Sequence, residues 1–167
     1  MRELTAEEIR VLGCLVEKEA TTPDNYPLSS NALVNACNQS TNRDPVVSYT
    51  ERQVDQVVLA LREAGVVRTV RGDGQRVHKH KHVLNDAWRL SKPELAVLCV
   101  LMLRGPQTVN ELRTRTERFD LGSDPDLIDG ALRTLAGRDE PFVRLLERRP
   151  GEREARWIHL VGGETLA

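Results

Sequence analysis

Apolar residues recur along this chain with two different periods, and the alternation between the periods lays out its architecture. Ile9, Leu12, Leu15 and Val16 follow helical spacing. Ahead of them, Leu4-Thr5-Ala6-Glu7-Glu8 sets a threonine three residues before a glutamate, the pair that satisfies free amides at a helix start. A first helix is therefore predicted to run to about Glu19. Residues 21–27 hold Pro23 and Pro27 and read as a turn, after which a serine cap and the shared face of Leu33, Val34 and Cys37 predict a short second helix. The polar stretch 38–48, with Pro45, predicts an ordered loop. Thr50 with Gln53 three residues later caps a third helix, whose inward positions are Val54, Val57, Val58 and Leu61 and which Gly65 is placed to end. From there the period shortens: residues 66–71 and 76–83 read as strands around a Gly72-Asp73-Gly74 turn. Three helices followed by a hairpin describe a winged-helix unit.

The pattern then repeats. Leu4-Thr5, Glu8-Ile9 and Val11-Leu12 match Leu90-Ser91, Glu94-Leu95 and Val97-Leu98 at an offset of 86, which holds through Leu15 and Leu101. Thr108-Val109-Asn110-Glu111 is another capping box and opens a helix through about Thr116. Val54, Val57, Val58 and Leu61 correspond to Ile128, Ala131, Leu132 and Leu135, with Asp124 or Ser123 as cap and Pro125 near the first helical position. A second hairpin follows over 142–146 and 155–160, turning at Arg149-Pro150-Gly151-Glu152. The smaller offset at the third helix predicts that the first unit has the longer connection between its second and third helices. The fold class expected is mainly α with small antiparallel β-hairpins, in two tandem winged-helix domains, 1–86 and 87–167.

Composition narrows the function classes. A chain of 167 residues with 40% apolar and 4% aromatic residues can bury Leu/Val/Ala cores, and a large aromatic-lined pocket does not follow from it. The formal net charge of −1 provides no global polycationic field. Cys14, Cys37 and Cys99 are odd in number and form no C-x-x-C pair, which argues against a disulfide framework or structural zinc site and for a reducing compartment. The charged start lacks the features of a signal peptide, and the longest apolar run, nine residues over 95–103, is too short to span a bilayer. A cytoplasmic protein without membrane attachment is expected.

Local charge is less neutral than the total. Residues 62–81 carry Arg62, Arg68, Arg71, Arg76, Lys79 and Lys81 against Glu63 and Asp73, whereas residues 1–24 are net acidic. With a two-residue turn at Asp73-Gly74, Arg71 would lie opposite Arg76 and Arg68 opposite Lys79, repulsions that a phosphate backbone would relieve. The competing reading is a solvated hairpin with a shifted register. On the third helix Arg52, Gln53 and Gln56 are the residues placed to meet base edges, though Glu51 and Asp55 among them repel phosphate. The second unit's third helix, with Asp124, Asp126 and Asp129, is a poorer groove binder, and its hairpin interleaves arginines with glutamates. His78, His80 and His82 alternate on one strand and would share a face, but no carboxylate or cysteine follows at ligand spacing, so no metal and no cofactor are expected. The 38–45 loop, with Asn38, Gln39, Asn42 and Arg43, suits both pinning of its own backbone and contact with a ligand.

Cys14-Leu15, Glu17-Lys18, Thr21-Thr22-Pro23, Tyr26-Pro27-Leu28-Ser29 and above all the run from Ala36-Cys37-Asn38-Gln39 through Ser40-Thr41-Asn42-Arg43 to Asp44-Pro45-Val46 resemble the YceH-like family of bacterial tandem winged-helix proteins. Leu103-Arg104-Gly105-Pro106-Gln107-Thr108 with Glu111-Leu112-Arg113 fits the same family. The resemblance implies the tandem fold but no established biochemical role, and likeness to DNA-binding and chromosome-scaffold proteins is analogy.

No nucleophile, base or paired-carboxylate constellation stands out, and Cys14 and Cys37 read as core, so no enzyme is expected. The leading expectation is a DNA-associated protein, of the kind that includes transcriptional regulators, contacting double-stranded DNA through Arg68, Arg71, Arg76, Lys79 and Lys81 of the first wing and through Arg52, Gln53 and Gln56. The alternative is a protein-interaction scaffold similar to the segregation and condensation protein B, with another protein as partner. Because residues 95–103 are apolar around the whole helix, that helix should pack against the first unit or a second chain, which motivates a homodimer.

Overall fold

The computed structural model describes residues 2–71 and 76–163. The Gly72-Asp73-Gly74 turn lies outside them. The chain is mainly helical with small antiparallel sheets, in winged-helix-like order. In the first unit α1 (Ala6–Thr21) is followed by β1 (Leu28–Ser29), α2 (Ser30–Asn38), α3 (Glu51–Glu63), β2 (Val67–Val70) and β3 (Lys79–His82). A short α4 (Leu84–Ala87) occupies the seam. The second unit runs through α5 (Lys92–Arg104), α6 (Val109–Arg115), α7 (Leu127–Ala136), β4 (Val143–Leu145) and β5 (Trp157–His159).

The helix starts follow from local chemistry. Thr5, Thr50, Ser91 and Thr108 each close a capping box with Glu8, Gln53, Glu94 and Glu111, so side chains hold both an N3 amide and the cap's own amide. Ser29 caps α2 through the amide of Ala32. Gly65, at φ +78°, follows the end of α3 in the left-handed region that residues with a Cβ seldom adopt. The start of α7 departs from expectation: its N-cap is Asp126 with no side-chain cap, and Asp124 instead accepts from the Asp126 amide. Pro125 thus lies before the helix, because the Asp124 side chain folds the preceding turn.

Leu28–Ser29 does more than precede a helix, since β1 pairs with β3 in a sheet ordered β1-β3-β2. In the second unit the isolated bridge between Gln107 and Trp157 takes the place of that strand beside the β4-β5 pair. The difference in length between the units lies mainly before the second helix: residues 22–29 separate α1 from α2, whereas 105–108 separate α5 from α6. Between the second and third helices the connection of the first unit, 39–50, is the longer, as predicted, but by only one residue over 116–126.

The units do not keep separate cores. One apolar cluster runs from Leu4 and Leu12 through Leu61 to Leu101, Leu132 and Val161. Helix α5, apolar over 95–103, packs against α1 and α7, and Ala96 through Leu103 are all buried within the chain. The apolar circumference that suggested a second copy is thus already covered. Cys99 Sγ donates to the Gly13 carbonyl at 3.3 Å, and these two positions are equivalent under the repeat offset. Equivalent residues meet in this way across a two-fold axis, here an internal and approximate one. Leu103 fills the notch left by Gly13, where an added Cβ would stand 2.8 Å from the leucine side chain.

Candidate nucleic-acid interface

The wing is built from the register of β2 on β3. Arg68 pairs with Lys81, Thr69 with His80, Val70 with Lys79, and Val67 with His82. The expected two-residue turn is therefore corrected: Arg68 faces Lys81, not Lys79, a register shift of two residues, and the paired strands end at Val70 and Lys79, so the ladder does not set Arg71 opposite Arg76. Alternation then divides the faces. Val67, His80 and His82 are buried, while Arg68 and Val70 are exposed and Lys79 and Lys81 half-buried. No carboxylate makes a salt bridge to Arg68, Lys79 or Lys81 among the described residues, although Arg68 and Lys81 sit directly opposite each other. Like charges so placed repel. Arg71 and Arg76 are exposed just beyond the paired strands.

On α3, Arg52, Gln53 and Gln56 are all exposed. Gln53 is partly committed, because its Oε1 accepts the Thr50 amide at 2.8 Å. Arg52 and Gln56, one turn apart, stay open to solvent. Asp55, which opposes phosphate, accepts from Ser30 Oγ at 2.6 Å. Ser30 in turn meets His80 Nε2 at 3.0 Å, and Thr69 Oγ1 meets His80 Nδ1 at 2.9 Å. Since Ser30 gives its proton to the carboxylate, its oxygen receives Nε2–H, and Nδ1 receives the Thr69 hydroxyl proton. This chain ties α2, α3 and the sheet together around a neutral imidazole, whose pKa burial lowers.

That arrangement also corrects the histidine expectation. His80 and His82 point inward but serve different partners: His82 Nε2 lies 2.8 Å from Glu19, and its Nδ1 accepts the Leu84 amide. His78 is exposed and precedes β3. Among the described residues no group of three or more His, Cys, Asp or Glu is placed to hold a metal.

The 38–45 loop is pinned from below by a polar stripe that sequence reading passed over. Arg10, Cys14 and Glu17 fall at helical spacing on one face of α1. Arg10 donates to the carbonyls of Cys37 and Pro45. Glu17, fully buried, takes Arg43 at 2.6 and 2.9 Å and Arg118 of the second unit at 2.8 Å. Burial works to raise the Glu17 carboxyl, but the bonds and charge of Arg43 and then Arg118 outweigh it and hold the pKa at about 2. Asn38 exchanges two hydrogen bonds with the Tyr49 backbone, and Gln39 bonds Thr41 and Lys18. Asn42 accepts from Arg104, and the Asp44 amide bonds the Leu103 carbonyl on α5. Asp44 and Arg118 are loop residues of the two units, and each reaches the first helix of the other, at the repeat-equivalent positions Leu103 and Glu17. Arg43 has its side chain spent inside the protein. The signal for Glu17 and Arg10 was present as charged residues on an otherwise apolar helix face.

Among the described residues no helix is long and apolar enough to cross a membrane. A family model described as a protein of unknown function, DUF480, matches residues 4–152. The chain is 50% identical over 161 residues to a UPF0502 protein of Pelobacter propionicus, covering 96% of this chain and 73% of that one. It is 49% identical to a UPF0502 protein of Solibacter usitatus, with 97% and 77% covered, and 46% identical to one of Serratia proteamaculans, with 97% and 78% covered. The loop run and the shorter motifs over 14–29 and 103–113 through which the sequence resembles the YceH-like family fall inside the matched region, and the chain belongs to this DUF480 (UPF0502) family of bacterial proteins.

Proposed function

We propose that the protein is a non-enzymatic, DNA-associated member of this family, whose first wing contacts the phosphate backbone and whose α3 reaches base edges through Arg52 and Gln56. The observation that carries the reading is the Arg68–Lys81 cross-strand pair with Lys79 beside it, three cations on one hairpin face without a salt-bridged carboxylate among the described residues. A polyanion relieves that repulsion, and each phosphate contact releases counterions. Arg71 and Arg76 extend the same basic segment. Regulation of transcription is one role such binding would serve.

The experiment is a fluorescence-anisotropy titration of labelled duplexes of several sequences. Arg68→Ala with Lys81→Ala should weaken binding to all of them alike, since phosphate contacts carry no sequence information. A second reading, a protein-interaction scaffold, is favoured by the groove between α3 and the free edge of β2, about 420 Å³, where Leu59 and Val70 are exposed beside Arg62 and Arg68. Duplex affinity weaker than about 10⁻⁴ M at low salt overturns the DNA reading, and nuclease-resistant capture of a protein then supports the scaffold.

A further inference from the structure

We propose that the cleft between the two repeats binds a small aliphatic α-amino acid, its carboxylate against Arg10, its ammonium against Asp44 and its side chain in the apolar pocket between them. The cavity lies where α1, the 39–50 loop, the end of α5 and β5 converge, and it measures about 170 Å³. A dry cavity of about 150 Å³ accommodates benzene, so this one holds a branched four- or five-carbon side chain with the head group at the mouth. Ile9, Val47 and Met102 supply apolar walls, and Asp44 is exposed at the rim.

Several polar groups lining this cavity lack a charged or hydrogen-bonding partner among the described residues. Arg10 is buried, yet it donates only to the Cys37 and Pro45 carbonyls, and no carboxylate pairs with it among the described residues. A buried guanidinium left without a counter-charge is costly, and it keeps further N–H donors for an anion. Asp44 forms no salt bridge either, and its neighbour Pro45 takes a bond from Arg10, so opposite charges flank one small space without neutralising each other. The Tyr49 hydroxyl, also on the wall, has no hydrogen-bond partner among the described residues. His159, which also lines the cavity, is buried with Nδ1 unpartnered, and burial lowers its pKa to about 4, so the ring is neutral and keeps one open nitrogen. A zwitterion answers both charges at once, where an acid or an amine alone would leave one unmet. Sites of this kind favour junctions between domains.

The site is independent of the DNA reading, because it is measured on the full chain without nucleic acid. Isothermal titration with L-leucine, 4-methylpentanoate (leucine without its ammonium) and isoamylamine (leucine without its carboxylate) separates the two charges. Leucine should bind, and each analogue should bind at least about tenfold more weakly, a change of 1.4 kcal/mol. Asp44→Asn should weaken leucine without weakening 4-methylpentanoate, which has no ammonium for Asp44 to meet and is relieved of a like charge. Tyr49→Phe should weaken leucine while leaving the unfolding midpoint of the free protein unchanged, since the hydroxyl has no partner inside the fold. No leucine heat up to about 10 mM, or 4-methylpentanoate binding as tightly as leucine, overturns the proposal.

Discussion

Replacing Glu17 by glutamine tests the junction between the repeats. The side chain keeps its shape and loses the charge that Arg43 meets at 2.6 and 2.9 Å and Arg118 at 2.8 Å. Arg43, with a fully buried side chain, would keep the Ala36 and Asn42 carbonyls and at most one neutral amide oxygen, without a counter-charge. Breaking a buried pair by removing one partner costs about 3–5 kcal/mol. For a chain of this size each kcal/mol lowers the melting midpoint by about 2–4 °C, so a drop of roughly 6–20 °C is expected. The pH dependence gives a second handle. The Glu17 carboxyl titrates at about 2 when folded and near 4.5 when unfolded, so its stabilisation is complete above the unfolded value and is lost as pH falls through the folded one. The full amount is about 3 kcal/mol, of which about 2 kcal/mol is gone by pH 3. Urea unfolding followed by fluorescence of Trp88 and Trp157 at pH 7 and pH 3 measures both. Subtracting the Glu17→Gln curve removes the other carboxylates held below their usual range, Glu8, Glu94 and Glu111. A difference under about 1 kcal/mol at pH 7, or one that does not shrink at pH 3, would refute the assignment of Glu17 as the charge that holds the junction.

Two further outcomes follow from the packing of α1 on α5. Gly13→Ala puts a Cβ 2.8 Å from Leu103, and overpacking of about 1–3 kcal/mol should outweigh the helix-propensity gain of about 1 kcal/mol. A urea midpoint equal to or above that of the natural protein would show that Leu103 has room to move. Because α5 is covered by α1 and α7, light scattering at micromolar concentration should return the mass of one 18.8 kDa chain; a stable dimer would place an interface on a surface other than α5.

The elements were legible because their signals are local. Thr-x-x-Glu caps, apolar residues at helical spacing and the 86-residue repeat identify α1, α3, α5 and α6 without reference to anything distant. The register of the wing was not, since it depends on how many residues the turn consumes, and a change there moves Arg68 from Lys79 to Lys81. The start of α7 was misplaced because three aspartates compete for the cap. The destination of α5 was left open between two partners, and only the three-dimensional closure of the repeats chooses α1. Glu17 and Arg10 were counted as acidic and basic residues of a segment, whereas their roles depend on partners 26 to 35 residues away and, for Glu17, on Arg118, 101 residues away. Of the proposed contact residues, the solvent exposure of Arg68 and Arg52 follows from alternation and helical phase. The commitment of Gln53 to its own helix cap follows from the same Thr50 box that predicted the helix.

The salt dependence of duplex binding tests the proposed function most directly. With Arg68, Lys79 and Lys81 each neutralising a phosphate, log K should fall against log salt with a slope of about −3 or steeper, and Arg68→Ala with Lys81→Ala should flatten it by about 2. A slope near zero, or one that the double substitution leaves unchanged, would contradict the account.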